Sequence, residues 1–417
     1  MMAGSEKVRI RIDIEDIHKE GAMAITKEEY HSRMVNLSRK VEEHDLDAFL
    51  VSSKDSIFYL TGVSYEPFER PFFILVRPHA PCVLLVPALE KDHLQAAPNV
   101  DVLHSYWDYP SPEGHGWPER LLDLLKSCSN LGVEPSLPQE IATHLGSVSY
   151  RTLPLVEELR LIKSPAEVRM IRVAAHYADL AVEKVIRASY YGVSELELFS
   201  QSRTVQIQIM KNIGYDVLTT NVLAGAWPAP LSAQPHGVPT ISDLLKEGPH
   251  IALCLDRVFG YAAECERTYF TAPATEDVRN AFAAMLEARR KAYSLIRPGA
   301  SCANIDAAAK GFLHDEGYGN DLLHRTGHGF GLGNHEGPWL AEGSKDVLAS
   351  NMIISIEPGI YLPGIGGVRH SDTILVTDDG YEHLTHYPTD LDSLTIRSSK
   401  PFIQLRGALI RRAVGMK

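Results

Sequence analysis

From Lys27 to Glu43 apolar side chains recur at the three-to-four-residue spacing of an amphipathic helix, and Asp47-Ala-Phe-Leu-Val-Ser reads as a strand that follows directly. Residues 72–76 and 82–87 are continuous apolar runs of strand length, separated by the turn-prone Pro78-His-Ala-Pro81. A helix over 118–127 and the strand-like Leu131-Gly-Val-Glu134 complete a mixed α/β pattern, which predicts a small α/β domain over residues 1–155. Ser164 and Pro165 then supply a helix start, a side-chain cap followed by a residue that needs no N–H partner, for a long helix to Ser189. Further on the pattern predicts a helix over Glu195–Ile213, a Pro- and Ala-rich loop over 226–240, a hairpin over 251–270, and helices over 275–296 and 302–317. Two glycine-rich segments with histidines (324–338 and 357–370) and a strand over 372–377 close a second domain, residues 156–395. Residues 396–417 form a tail with Lys400, Arg406, Arg411, Arg412 and Lys417 and no acidic residue, read as solvated or oligomer-packing, with contact to an anionic surface as the alternative.

Composition narrows the class. At 417 residues, 45% hydrophobic and 23% charged, the chain is long and apolar enough to bury two or three cores. Lys and Arg number 41 against 53 Asp and Glu, a formal charge of −12, which argues against a nonspecific nucleic-acid binder. No window approaches the roughly 20 uncharged apolar residues of a membrane span. The stretch from Met1 to Glu20 lacks the apolar run of a signal peptide, so a cytoplasmic protein without membrane contact is expected. Cys82, Cys128, Cys254, Cys265 and Cys302 are odd in number, widely spaced and without a C-x-x-C, so neither a disulfide framework nor a zinc ribbon is indicated.

The candidate chemistry lies in the second domain. His236 stands in Gln-Pro-His-Gly-Val-Pro, a loop setting where an imidazole is available to act, although a structural role is the common one for such a residue. In Gly260-Tyr-Ala-Ala-Glu264-Cys-Glu266-Arg-Thr, strand alternation puts Glu264 and Glu266 on one face, about 7 Å apart. Such a pair needs a cation, a shared proton or a ligand; the alternative is an edge strand whose charged face meets water. Gly327-His328 to His335-Glu-Gly-Pro338 sets two histidines seven residues apart among five glycines, which would let backbone approach a ligand closely. Glu357 ends an apolar strand ahead of Gly366-Gly-Val-Arg369-His370-Ser371-Asp372, and a buried carboxylate there is costly unless paired.

Taken in this order, from residue 26 to 395, these segments resemble the creatinase/prolidase/aminopeptidase P family with its pita-bread fold. The resemblance implies an α/β (α+β) architecture, a small N-terminal creatinase-type domain before a C-terminal pita-bread catalytic domain. Metallopeptidases of that family hold two metal ions with two Asp, one His and two Glu. The first Asp, eleven residues before the second, falls on Leu253; the second falls on Glu264, the His on His328, one Glu on Glu357 and the last Glu on Ser371. Losing two carboxylates predicts the loss of a two-metal site. The departures resemble creatinase, the metal-free amidinohydrolase of the same fold. Glu266 before Arg-Thr and Glu357 match its guanidinium-binding residues, and His236 its catalytic His. Phe68-Glu-Arg70-Pro71 is similar to the segment that reaches into the partner subunit's site, while Trp339 stands where that enzyme has a carboxylate-binding Arg.

The expectation is therefore a metal-free hydrolase that cleaves a C–N bond of a small zwitterionic guanidino or amidino carboxylate, creatine- or ectoine-like, with no cofactor. His236, His328, His335 and Glu357 are its candidate catalytic residues; Phe68, Arg70, Glu264, Glu266, Trp339 and Arg369 are its candidate substrate contacts. The first alternative is a metal-dependent Xaa-Pro dipeptidase or aminopeptidase holding one or two divalent cations such as Mn or Co on Asp256, Glu264, His328 and Glu357. The second is a non-catalytic pita-bread binding module. A homodimer with shared active sites is expected if Phe68 and Arg70 reach across a two-fold interface.

Overall fold

The computed structural model describes residues 25–396 apart from 96 and 109, and residues 401–413 and 415. The N-terminal stretch 1–24, Lys400, Lys417 and the side chains of Arg406 and Arg411 lie outside the described residues. The chain forms two compact units, Ile25–Lys163 and the residues from Ser164 onward.

In the first unit, strands β1 (Ala48–Val51), β2 (Phe73–Val76), β3 (Val83–Pro87), β4 (Val102–Tyr106), β5 (Leu131–Val133) and β6 (Tyr150–Thr152) pair in the order β4-β3-β2-β1-β5-β6. The apolar runs become interior strands because one face packs Leu50, Phe73, Leu75, Leu85 and Leu131 against Leu121 and Leu125 of the helix Trp117–Leu125. The helix Lys27–Glu43 starts where Thr26 caps the Glu29 N–H and buries Met34, Leu37 and Val41. Phe68 has a left-handed backbone (φ 47°) and a 77% exposed side chain. Arg70 is tied down: its Nε donates to Asp108 Oδ1 at 2.7 Å, and a second ion pair reaches Glu69 at 3.1 Å.

The second unit begins with the helix Pro165–Ala188, opened by a capping box in which Ser164 and Glu167 satisfy each other's backbone N–H groups. Its apolar face packs on one side of a large sheet made of β7 (Asn221–Trp227), β8 (His250–Val258), β9 (Tyr261–Tyr269), β10 (Gly327–Gly329), β11 (Glu336–Leu340), β12 (Ile353–Ile356), β15 (Ser371–Val376) and β16 (Tyr381–His383). The strand order is β11-β10-β12-β15-β9-β8-β7, with β16 paired to β15, and β13 (Gly359–Leu362) with β14 (Gly366–Arg369) forms a separate ribbon. This is the mixed α/β architecture that the sequence predicts.

Three local expectations are corrected. The helix over Glu195–Ile213 is two helices, Glu195–Phe199 and Gln201–Ile213, which meet at Ser200, a residue that keeps near-helical dihedrals (φ −59°, ψ −17°) while its hydroxyl donates to the Glu197 carbonyl. The helix from Cys302 ends at Leu313, and Gly317 takes a left-handed φ of 91° four residues later. The segment 324–338 is not all loop, since β10 and β11 lie within it. In the tail the helix Pro401–Ala413 sets Gly407 so close to Tyr190 and Glu197 that a Cβ there would lie 2.0 Å from the Tyr190 hydroxyl. All five cysteines are free thiols, and among the described residues no helix is long and apolar enough to cross a membrane.

The sheet is braced by a buried charge triad. Arg267 Nη2 donates to Asp372 Oδ1 at 2.7 Å, Arg289 Nη2 donates to Asp372 Oδ2, and the Thr385 hydroxyl adds a further bond of 2.7 Å to Oδ1. Burial alone would raise the Asp372 carboxyl, but the two guanidinium groups reverse this and hold it well below the usual carboxylate range.

Candidate metal centre

The β8–β9 hairpin sets the chemistry through its register. Its two-residue turn is Phe259-Gly260, both at positive φ (49° and 88°), the backbone geometry whose twist matches the right-handed twist of the flanking strands. The turn fixes Leu253 opposite Glu266 and Leu255 opposite Glu264, while Cys254 meets Cys265 and Asp256 meets Ala263. Directly opposed residues share a face, so Leu253, Leu255, Glu264 and Glu266 point one way and Asp256 the other. Asp256 is 1% exposed on the side that packs the helix Pro165–Ala188, where burial and then the nearby Asp179 raise its carboxyl far above normal. The expectation that Asp256 ligates with Glu264 is corrected by this parity. The edge-strand alternative for Glu264 and Glu266 falls too, because β9 lies between β15 and β8 and every one of its residues is buried.

The glycine-rich run brings His328 to the same face. A Cβ on Gly327 would lie 2.1 Å from the Ser355 carbonyl oxygen, and one on Gly329 would lie 1.9 Å from that of Gly337. These glycines thus let β10 nest against β12 and β11, rather than admitting a ligand as the sequence suggested. His328 Nε2 lies 3.2 Å from Glu357 Oε1 and 3.8 Å from Glu264 Oε2, and its ring stands 3.9 Å from that of His335. Its Nδ1 sits 3.2 Å from the Gly329 carbonyl, which seats a proton on Nδ1 and turns Nε2 toward the carboxylates.

The electrostatics of the cluster are those of a site short of positive charge. Burial and then Glu357 push the Glu264 carboxyl up, while the Ser371 hydroxyl donates to its Oε1. Burial would raise Glu357 as well, but His328 holds it low. For His328 burial works against the charge and the two carboxylates overcome it, so the ring titrates above its ordinary value. Burial, reinforced by His328, takes His335 down to about 4, so that ring is neutral at physiological pH.

Glu264, His335 and Glu357 line a cavity of about 850 Å³, with His328 fully buried behind them. His236, His335, Glu264, Glu266, Glu357 and Arg369 all border it, so the structure gathers most of the predicted residues. Their partners differ from expectation in two respects. The carboxylates are not a free anionic wall for a cationic substrate, because Arg369 grips Glu266 with Nε and Nη2, the latter at 2.7 Å from Oε1. Arg369 also donates to the Tyr361 hydroxyl at 2.8 Å, so its role is to pair a site carboxylate. Trp339 is 39% exposed and outside the cavity lining; its backbone pairs with His328 in the β10–β11 ladder, and its ring centre stands 4.7 Å from the Arg325 guanidinium. Phe68 and Arg70 belong to the other unit, described above.

Sequence reasoning missed several lining residues. Arg325 precedes the Gly-His run by two positions, and a cation beside that run was the available signal. His324 sits 2.7 Å from the Tyr361 hydroxyl and 2.7 Å from the Arg325 carbonyl. Glu195 reads in sequence as an ordinary first-turn acid after a Ser cap, so nothing marked it.

One divalent cation fits this donor set. Ligand atoms of Glu264, His328 and His335 lie within 4.8 Å of one another, Glu357 stands beside His328, and with Nδ1 engaged by the Gly329 carbonyl it is Nε2 that would exchange its proton for the ion. A fixed tautomer facing carboxylates is how imidazole ligands are held. Leu253 and Ser371 add no further carboxylate, and among the described residues the cluster is the single group of three or more potential ligands so placed.

Comparison with known proteins agrees with a metal-binding reading. Residues 169–378 match the model of metallopeptidase family M24 and residues 33–162 that of the creatinase/prolidase N-terminal domain. An uncharacterized peptidase of Staphylococcus aureus (strain USA300) is 31% identical over 360 residues, covering 85% of this chain and 99% of the relative. Among solved structures, the prolidase from Pyrococcus horikoshii OT3 is 27% identical with a TM-score of 0.73, over 86% of this chain and 99% of that one. Dipeptidase PepE from Mycobacterium ulcerans is 26% identical with a TM-score of 0.76, over 88% and 98%. The expectation of a metal-free, cofactor-free C–N hydrolase of the creatinase type is thereby overturned. The solved relatives are prolidases and dipeptidases of a metallopeptidase family, and the buried Glu264–His328–His335 cluster offers an ion its ligands. By the match of its catalytic unit and by relatives aligned along nearly their whole length, the chain belongs to metallopeptidase family M24, with the creatinase/prolidase N-terminal domain ahead of a pita-bread hydrolase domain.

Proposed function

We propose that the protein is a metal-dependent Xaa-Pro dipeptidase or aminopeptidase that works with one divalent cation. The observation that carries this reading is the convergence of Glu264, His328 and His335, with Glu357 alongside, at a cavity large enough for a short peptide that Glu264, His335 and Glu357 line. Mixed carboxylate and imidazole donors suit Mn, Co, Fe or Zn. When bound, the cation polarises the scissile carbonyl and stabilises negative charge on its oxygen. The chain's own residues do the rest. Glu357 keeps the His328 ring oriented, and Arg369 keeps Glu266 from repelling the other two carboxylates. Arg325 offers a cavity-lining guanidinium, stacked on Trp339, to the carboxylate of a dipeptide. His236 is the cavity imidazole left over for proton transfer, since His324 is engaged by Tyr361 and His335 belongs to the ligand cluster. It would take a proton from the attacking water and return it to the departing proline nitrogen.

The expected result is hydrolysis of Xaa-Pro dipeptides by Mn- or Co-loaded protein, a loss of at least ~100-fold on chelation, and recovery on adding metal back. Full activity in protein shown by elemental analysis to be metal-free would overturn the reading. We propose further that the protein is a homodimer in which the exposed Phe68 is covered by a second copy, while Arg70 stays with Asp108. A fully active species at one protomer mass in sedimentation would rule that out.

A further inference from the structure

A lateral row of the sheet runs away from the metal cluster. Gly225 of β7 pairs with Leu253, which pairs with Glu266; one step along, Leu223 pairs with Leu255 and Leu255 with Glu264. All of these face the cavity side, so the carboxylates give way to a leucine floor and then to the bare backbone of Gly225. Over that backbone lies a carboxylate: Glu195 Oε1 is 3.1 Å from where a Cβ on Gly225 would stand, so the missing side chain makes its seat. Glu195 lines the same cavity, and no ion pair or hydrogen bond to its carboxylate occurs among the described residues. Two interstrand steps put it about 10 Å from the β9 carboxylates.

We propose that Glu195 selects substrates whose residue on the N-terminal side of the scissile bond carries a long basic side chain, lysine or arginine, its stem on Leu253 and Leu255 and its charged head at Glu195. This inference rests on the proline-peptidase reading of the site and names its substrate class. The α-ammonium of a dipeptide lies within one residue of the scissile carbonyl, about 3.5 Å along an extended chain, and falls short of Glu195. A longer peptide backbone would reach it but would lay unpaired N–H and C=O groups on leucines. A methylene stem ending in a cation meets both surfaces. Burial and the charge of Asp243 push the Glu195 carboxyl up to about 7, so the seat itself favours the arrival of a positive charge.

The test compares kcat/KM for Lys-Pro and norleucine-Pro on metal-loaded full-length protein, wild type against Glu195→Gln and Glu195→Ala. Wild type should favour Lys-Pro by about tenfold, and both variants should bring the ratio close to one. A ratio near one in wild type, or one retained in both variants, overturns the proposal. Calorimetry of lysinamide against norleucinamide on metal-free protein separates this from the fate of the peptidase reading. A tenfold preference lost in Glu195→Gln, with neither dipeptide hydrolysed, would keep the cation seat and sink the peptidase reading. Hydrolysis without any calorimetric preference would do the reverse.

Discussion

His328→Ala is expected to lose divalent-cation binding by at least ~100-fold and Xaa-Pro hydrolysis with it, while the fold persists. The ring is fully buried between Glu264 and Glu357, so its removal takes away one ligand and the positive partner that lets two carboxylates coexist. The remaining pair should respond by holding a proton between them rather than by unfolding the sheet, because β10 is fastened by its backbone and by the Ser355 hydroxyl to the His328 N–H at 2.9 Å. Elemental analysis of dialysed protein, with circular dichroism as the folding control, reads both halves. Wild-type metal content in a folded variant would remove His328 from the site.

Asp372→Asn should destabilise the catalytic unit by about 3–5 kcal/mol, since it strands Arg267 and Arg289, both fully buried, around a neutral amide. For a unit of this size that corresponds to roughly 10 °C in Tm. The pH dependence has a definite sign. The native carboxyl is held below its unfolded value of about 3.9, so its contribution is complete above that pH and is lost as pH falls toward the lower native value. Denaturant titrations should therefore show the gap between wild type and variant closing below about pH 4. A gap that is small at pH 7, or unchanged at pH 3, would mean that the triad does not brace the sheet.

The elements were largely legible in the sequence because their causes are local. The Ser164–Glu167 capping box with Pro165 in the first turn starts its helix from within four residues, and the apolar runs of β2 and β3 have no exposed face to offer. The break at Ser200 was missed because a serine within a periodic helical stretch carries no break signal, and the residue itself keeps helical dihedrals. For the site, Glu264, His328, His335 and Glu357 stood out as polar residues in apolar or glycine-rich surroundings, and the structure brings them together. Asp256 was misjudged because chain distance says how far a carboxylate is from a site, whereas strand parity says which side of the sheet it is on. Glu195 was invisible for a related reason, being an ordinary first-turn acid until the fold places it on the cavity wall, whereas Arg325 carried only the weak signal of a cation beside the Gly-His run. The inferred chemistry went astray at Leu253 and Ser371, where missing carboxylates suggested the loss of all metal, although the imidazoles and the remaining acids still converge.

The hairpin register has a consequence for how such a protein changes over time. Leu253 and Leu255 bear no part of the sheet's framework, which rests on backbone pairing, on the opposite face that packs the long helix, and on the Asp372 triad beside it. The cavity face can therefore be rewritten one letter at a time without passing through an unfolded ancestor. An acid exchanged for a leucine, or a serine for a glutamate, alters how many ions the wall can hold and what it greets beyond them, while the scaffold is inherited intact. A lineage built on this sheet can drift from one catalytic repertoire to another by single substitutions.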